Sequence, residues 1–138
     1  MKRISLLLVL VLLIPLLSGC SSPLKVSLDN QFTLAPGQSA SIASESMEIK
    51  FIGENQDSRC PTGVDCFWAG QVICDIELTK DGNKNQIALT ESAGSGLATG
   101  YTFQNYKIVF SVSPYPAAGK TITKGDYRLT LKVSNSPD

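Results

Sequence analysis

The sequence predicts an all-β domain: a small antiparallel β-sandwich of immunoglobulin-like architecture, with a small β-barrel as the alternative. Three observations predict it. Beyond the first twenty-odd residues the apolar side chains recur with period two, not 3.6, which is the spacing of a strand with one face on a core and one in water. The stretches are bounded by Gly, Pro, Asn and Asp, whose backbone preferences suit turns. About seven such stretches follow one another at short spacing, with no convincing helix and no internal repeat.

In chain order, Val26 and Leu28, then Phe32 and Leu34, lead to a turn at Pro36-Gly37, beyond which Ala40 and Ile42 continue the alternation. Met47, Ile49 and Phe51 alternate with Glu48 and Lys50. Val72, Cys74, Ile76 and Leu78 share one face, and Asp81-Gly82-Asn83 turns the chain into Ile87 and Leu89, predicting a hairpin. The stretch from Glu91 to Gly100 holds Gly94, Gly96 and Gly100 among small polar residues and reads as a mobile loop. Tyr106, Ile108, Phe110 and Val112 form a further stripe, ended by Pro114-Tyr115-Pro116, whose prolines cannot donate to a ladder. Tyr127, Leu129, Leu131 and Val133 form the last.

The N-terminus has the layout of an export signal. Met1-Lys2-Arg3 is a short positive region, and Ile4 to Leu17 is apolar but for Ser5 and Pro15. The run is short for a membrane span, which needs about 20 apolar residues, and nothing basic follows it. Leu17-Ser18-Gly19-Cys20 resembles the lipobox of bacterial lipoproteins. The resemblance implies cleavage before Cys20, lipidation of that cysteine, and attachment to the cell membrane or the outer membrane with the domain facing outside the cytoplasm. The expected organisation is a lipoprotein signal peptide over 1–19, a lipidated cysteine and tether over 20–25, and a single β domain over 26–138. Cleavage leaves 10 basic residues (12 less Lys2 and Arg3) against 12 acidic ones, with no basic cluster, so nucleic acid is not an expected partner.

The most distinctive segment is Asp57-Ser58-Arg59-Cys60-Pro61-Thr62-Gly63-Val64-Asp65-Cys66-Phe67-Trp68-Ala69-Gly70. In an oxidising compartment cysteines pair where geometry allows. With Cys20 taken by lipid and Cys74 in register with a core face, Cys60 and Cys66 are expected to pair across Pro61-Thr62-Gly63. Asp57 and Asp65 read as solvated carboxylates or as partners of Arg59. A zinc site needs tighter cysteine spacing or histidines, and the chain has no histidine; a calcium loop needs a run of oxygen ligands that is missing. No metal and no cofactor are expected. Trp68 is expected to pack over the disulfide and stack with Arg59; the competing expectation makes Arg59 and Trp68 a binding surface, since both types are favoured at interface hot spots.

This segment, followed by a strand and later by Ser113-Pro114-Tyr115-Pro116, resembles a family of small exported bacterial proteins, often lipoproteins, of unknown function, marked by Asp-Ser-Arg-Cys-Pro-x-Gly-Val-x-Cys-x-Trp-Ala-Gly. The resemblance runs from Met47 to Val133. It implies a β domain with a Cys60 to Cys66 bridge and brings no activity with it.

Catalysis is not expected. Without histidine the imidazole-based triads are excluded, leaving only Ser58 beside Asp57, or the outward strand pair Asp75 and Glu77, as material for an acid–base site. The Gly-rich stretch lacks the strand, helix and lysine that a phosphate cradle needs. The expected function is a binding or interaction module at the cell envelope, its partners being the membrane through the lipid and an envelope protein. The alternatives are inhibition of a hydrolase, or a structural envelope role. Ser95-Gly96 before Tyr101 faintly resembles the loop of membrane-bound lysozyme inhibitors, while the Asn-Pro-Thr-Thr-Gly loop of chagasin-type protease inhibitors is absent.

Overall fold

The computed structural model describes residues 21–95 and 99–136. The expected signal peptide, Cys20 and the centre of the Gly-rich stretch lie outside the described residues. Nine strands are described: β1 (Leu24–Lys25), β2 (Gln31–Leu34), β3 (Ser39–Ile42), β4 (Met47–Asp57), β5 (Gln71–Lys80), β6 (Asn83–Ser92), β7 (Gly100–Phe103), β8 (Tyr106–Ser113) and β9 (Arg128–Asn135). They form two sheets, ordered β1-β3-β4-β5-β6 and β2-β9-β8-β7, which stack as an open sandwich. The barrel alternative falls, because neither order closes on itself.

The period-two stripes become the core. Val72, Cys74, Ile76 and Leu78 of β5 face Ile108, Phe110 and Val112 of β8 and Leu129, Leu131 and Val133 of β9 across the sheets, all buried, with Ile49 and Phe51 of β4 wholly so. Each such side chain contributes about 1.5–3 kcal/mol over leaving it in water. The hairpin β5–β6 is paired throughout, from Gln71 opposite Ser92 to Lys80 opposite Asn83. Its two-residue turn places Asp81 (φ 50°) and Gly82 (φ 82°) both in the left-handed region that twisted hairpins require.

Three features lie beyond the period-two reading. The expected turn at Pro36-Gly37 carries the chain from one sheet to the other, β2 pairing with β9 and β3 with β4. β4 runs on to Asp57 through register shifts at Phe51/Gly53 and Glu54/Gln56. A bulge inserts an unpaired residue and inverts the in–out parity beyond it, which hides the strand from a period-two search. Finally, the stretch beginning at Glu91 is strand at both ends, in β6 and β7, and Glu91 is buried.

β4, β5, β6, β8 and β9 bring Asp57, Val72, Glu91, Val112 and Arg128 to one end of the sandwich. That end carries the cysteine segment.

Candidate functional site

The segment Ser58–Gly70 connects β4 to β5, and its base is drawn closed by the backbone. Ser58 N–H donates to Gln71 O (2.8 Å) and Cys60 N–H to Ala69 O (3.1 Å). Gly70 makes this closure possible. Its φ of +75° disfavours any side chain, and a Cβ there would lie 1.9 Å from Ser58 O, inside the backbone it must pass.

Arg59 fixes the loop to both sheets. It is 4 % exposed. Its Nε and one terminal nitrogen donate to the two carboxylate oxygens of Asp57 (2.9 and 2.6 Å), a bidentate pair on β4. The guanidinium also donates to Val112 O and Pro114 O, both at 2.9 Å, at the end of β8 in the other sheet. Tyr127 OH donates to Asp57 (3.2 Å), and Arg59 N–H to the same carboxylate (3.1 Å). Nearby, the buried Glu91 carboxylate accepts the N–H of Val112 (2.6 Å). Among the described residues no buried side-chain nitrogen or oxygen lacks a partner.

The electrostatics follow from this packing. Burial alone would raise the Asp57 carboxyl, but the hydrogen bonds and charge of Arg59 outweigh it and hold Asp57 below its ordinary value. Burial likewise opposes the charge on Arg59, and Asp57 more than restores it. For Glu91 burial wins, and its pKa rises despite the Val112 N–H and the charge of Arg59. Tyr127 is pushed up to about 12 by burial and by the Asp57 charge beside it.

The outer half of the loop is held in two further ways. Cys60 and Cys66 form the expected disulfide, with Cα atoms 6.0 Å apart, and Cys74 is the free, buried thiol, its pKa raised by burial to about 12. Thr62 joins Ala117 in a short parallel bridge, Thr62 N–H donating to Pro116 O (2.9 Å) and Ala118 N–H to Thr62 O (3.0 Å).

Fixed at its base and its middle, the loop displays apolar side chains to solvent. Phe67 is fully exposed, Trp68 is 61 % exposed and Val64 about half exposed. Tyr115, on the segment that the bridge ties to the loop, is partly exposed. The stacking expected of Trp68 is made by Tyr115 instead, whose ring centre lies 4.9 Å from the Arg59 guanidinium carbon. Arg59 and Trp68 are therefore parted: Arg59 is turned inward, its donors taken up by Asp57 and by the carbonyls of Val112 and Pro114. Trp68 is left outside.

Phe67, Val64, Tyr115 and Glu91 were not singled out by the sequence. Phe67 and Val64 occupy loop positions with no periodicity to mark them, and Glu91, which continues the inward parity of Ile87 and Leu89, stands at the head of the stretch that reads as a loop.

No family model, curated protein or solved structure matches the chain.

The side chains considered for acid–base work are engaged elsewhere. Ser58 Oγ donates to Gln71 O (3.1 Å) and accepts from Gln71 N–H, Asp75 accepts from Asn55 (2.9 Å), and Glu77 pairs with Lys84 (3.0 Å). Among the described residues no three His, Cys, Asp or Glu side chains gather as a metal site.

Proposed function

We propose that the chain is an exported lipoprotein, anchored through acylated Cys20, that serves as a binding module at the cell envelope, and that the cysteine loop is its contact surface. The observation that carries the reading is the full exposure of Phe67 beside the mostly exposed Trp68 on a loop held by a disulfide and a buried ion pair. Large apolar side chains left in water on a rigid support are the usual mark of an interaction site. Burying each in a partner contributes about 1.5–3 kcal/mol, and a loop already fixed loses little entropy on binding. Supporting the export half are the basic and apolar N-terminus, the lipobox-like Leu17 to Cys20, and a disulfide consistent with an extracytoplasmic compartment. No helix of the described residues is long and apolar enough to cross a membrane.

Intact mass of the protein taken from its native membrane tests the anchor. The expected result is an acylated chain beginning at Cys20, with one thiol alkylated under denaturing conditions before reduction and three after. An unacylated chain, or three thiols open without reduction, refutes it. The contact surface is tested by cross-linking in native membranes: Phe67→Ser with Trp68→Ser should lose the envelope contacts of the parent while keeping its melting temperature.

A further inference from the structure

Phe67 and Trp68 stand at the end of the sandwich from which the chain leaves toward Cys20. β1 runs parallel to β3 with Leu24 beside Ala40, and β3 runs antiparallel to β4 with Ala40 beside Ile49. Followed backward from Leu24, the tether Ser21-Ser22-Pro23 thus advances the way β4 climbs toward Asp57 and the cysteine loop. Ser21 and Ser22 line a shallow groove with Leu34, Gln38 and Ser39, which fixes that direction.

The dimensions agree. Ile49 lies opposite Leu78 and Asp57 opposite Val72, so the base of the loop is about 20 Å beyond Leu24 along the strands, at roughly 3.3 Å per residue. From Leu24 back to Cys20 the chain spans at most about 14 Å. Two strand spacings, about 10 Å, separate β1 from β4 sideways. The loop base thus stands at least about 6 Å beyond the reach of the tether over about 10 Å sideways, so the lipid attachment and the loop can meet one surface only with the domain tilted toward its β1 edge by about 30° or more.

We propose that this one surface is the bilayer's, and that Phe67 and Trp68 seat in its interfacial layer as a second membrane contact that orients the domain; this rests on the anchoring of Cys20 proposed above. Tryptophan suits the site, because its ring is apolar and its indole N–H still needs a polar partner, the combination found at membrane–water boundaries. The anchor makes the second contact intramolecular, so a small loop suffices where it could not hold the domain alone. This end carries exposed Lys120, Lys124 and Arg128 against exposed Asp65 and Asp126, one positive charge in excess before an anionic leaflet. A protein partner at the same face would have to fit between the bilayer and a domain tied to it by three residues, which is why the lipid surface is favoured.

Trp68 is the only tryptophan and reports on its own surroundings. The test uses the full acylated chain in vesicles of phosphatidylethanolamine and phosphatidylglycerol, with the Cys20→Ala chain in buffer as reference. The expected result is co-flotation, a blue-shifted Trp68 emission and quenching by acyl-brominated lipid. Phe67→Ser, whose side chain touches no core residue, should float and fold as the parent does but lose much of that quenching. If the chain floats while Trp68 stays as open to aqueous iodide as in the reference, the membrane contact is overturned and the anchor stands. A chain that does not float overturns the anchor and the contact with it. A cross-link from position 67 to a protein in native membranes, with Trp68 still open to iodide in vesicles, overturns the contact in favour of a protein partner.

Discussion

Replacing Arg59 by alanine is the sharpest test of how the loop is held. The change leaves the Asp57 carboxylate, 8 % exposed at its side chain, without its bidentate partner and strips Val112 O and Pro114 O of their donor from Arg59. Removing one member of a buried ion pair costs about 3–5 kcal/mol, mostly because the other charge stays buried. A domain of this size has about 5–15 kcal/mol in total, so the variant should fold but only marginally. At a urea slope of about 2 kcal/mol/M, a loss of about 4 kcal/mol moves the midpoint down by about 2 M. The measurement is urea unfolding of the soluble Cys20→Ala chain with and without the substitution, at pH 7. Asp57 supplies an independent check. Its folded pKa is held below the ordinary value of 3.8, so its pairing stabilises the fold above that pH, and the contribution is lost as pH falls through the folded pKa. The gap between parent and Arg59→Ala should therefore narrow in acid. Arg59→Lys should fall between the two, since one ammonium cannot reach acceptors on both sheets. If Arg59→Ala unfolds within about 1 kcal/mol of the parent at pH 7, the ion pair is not what secures the loop.

Cys60→Ala opens a ring whose cysteines are six positions apart, which in the chain-entropy account costs about 2 kcal/mol; a melting temperature equal to the parent's refutes the staple. Gly70→Ala should be the costlier substitution of the two, because it adds a Cβ within a bond length or so of Ser58 O at a φ that L residues avoid, and soluble yield with urea unfolding reads the effect. Glu91→Gln tests the opposite sign to Asp57: the folded pKa of Glu91 is raised above 4.5, so its ionisation weakens the fold as pH rises above that value. The glutamine variant, which keeps an acceptor for Val112 N–H, should gain on the parent between acid and neutral pH. A pH-independent difference between the two would refute it.

The fold was legible wherever the core imposes its period. The stripes Val72 to Leu78, Ile108 to Val112 and Leu129 to Val133 needed only alternation, and the Asp81-Gly82 turn announced the hairpin through its demand for positive φ. Legibility failed where parity shifts. Beyond Ile52 the bulges in β4 break the alternation, so the strand dissolves into an apparently irregular run. Sheet membership of β2 and β3 was hidden for another reason. A short turn between two apolar stretches looks the same whether it reverses the chain within a sheet or hands it to the facing one, and only long-range pairing, β2 with β9 and β3 with β4, decides. The Cys60–Cys66 pairing could be worked out because Cys74 was claimed by a core face.

The loop itself was half legible, and the reason lies in the side chains. Within a segment that has neither helical nor strand period, nothing local says whether Arg59 points in or out. Its burial is set by acceptors from residues 112 and 114, more than fifty positions along the chain. Trp68, the residue best suited to fill an interior, lies outside, and the stacking place over Arg59 is taken by Tyr115. The segment thus divides its work. Asp57, Arg59, Gly70 and the disulfide set where the loop stands, while Val64, Phe67 and Trp68 set what it offers. Substitutions in the first group should move stability, and contact only through it; those in the second should abolish contact on a fold that melts where the parent does. A loop conserving shape for its own sake has no use for that division, since a fully exposed phenylalanine contributes nothing to the fold it sits on.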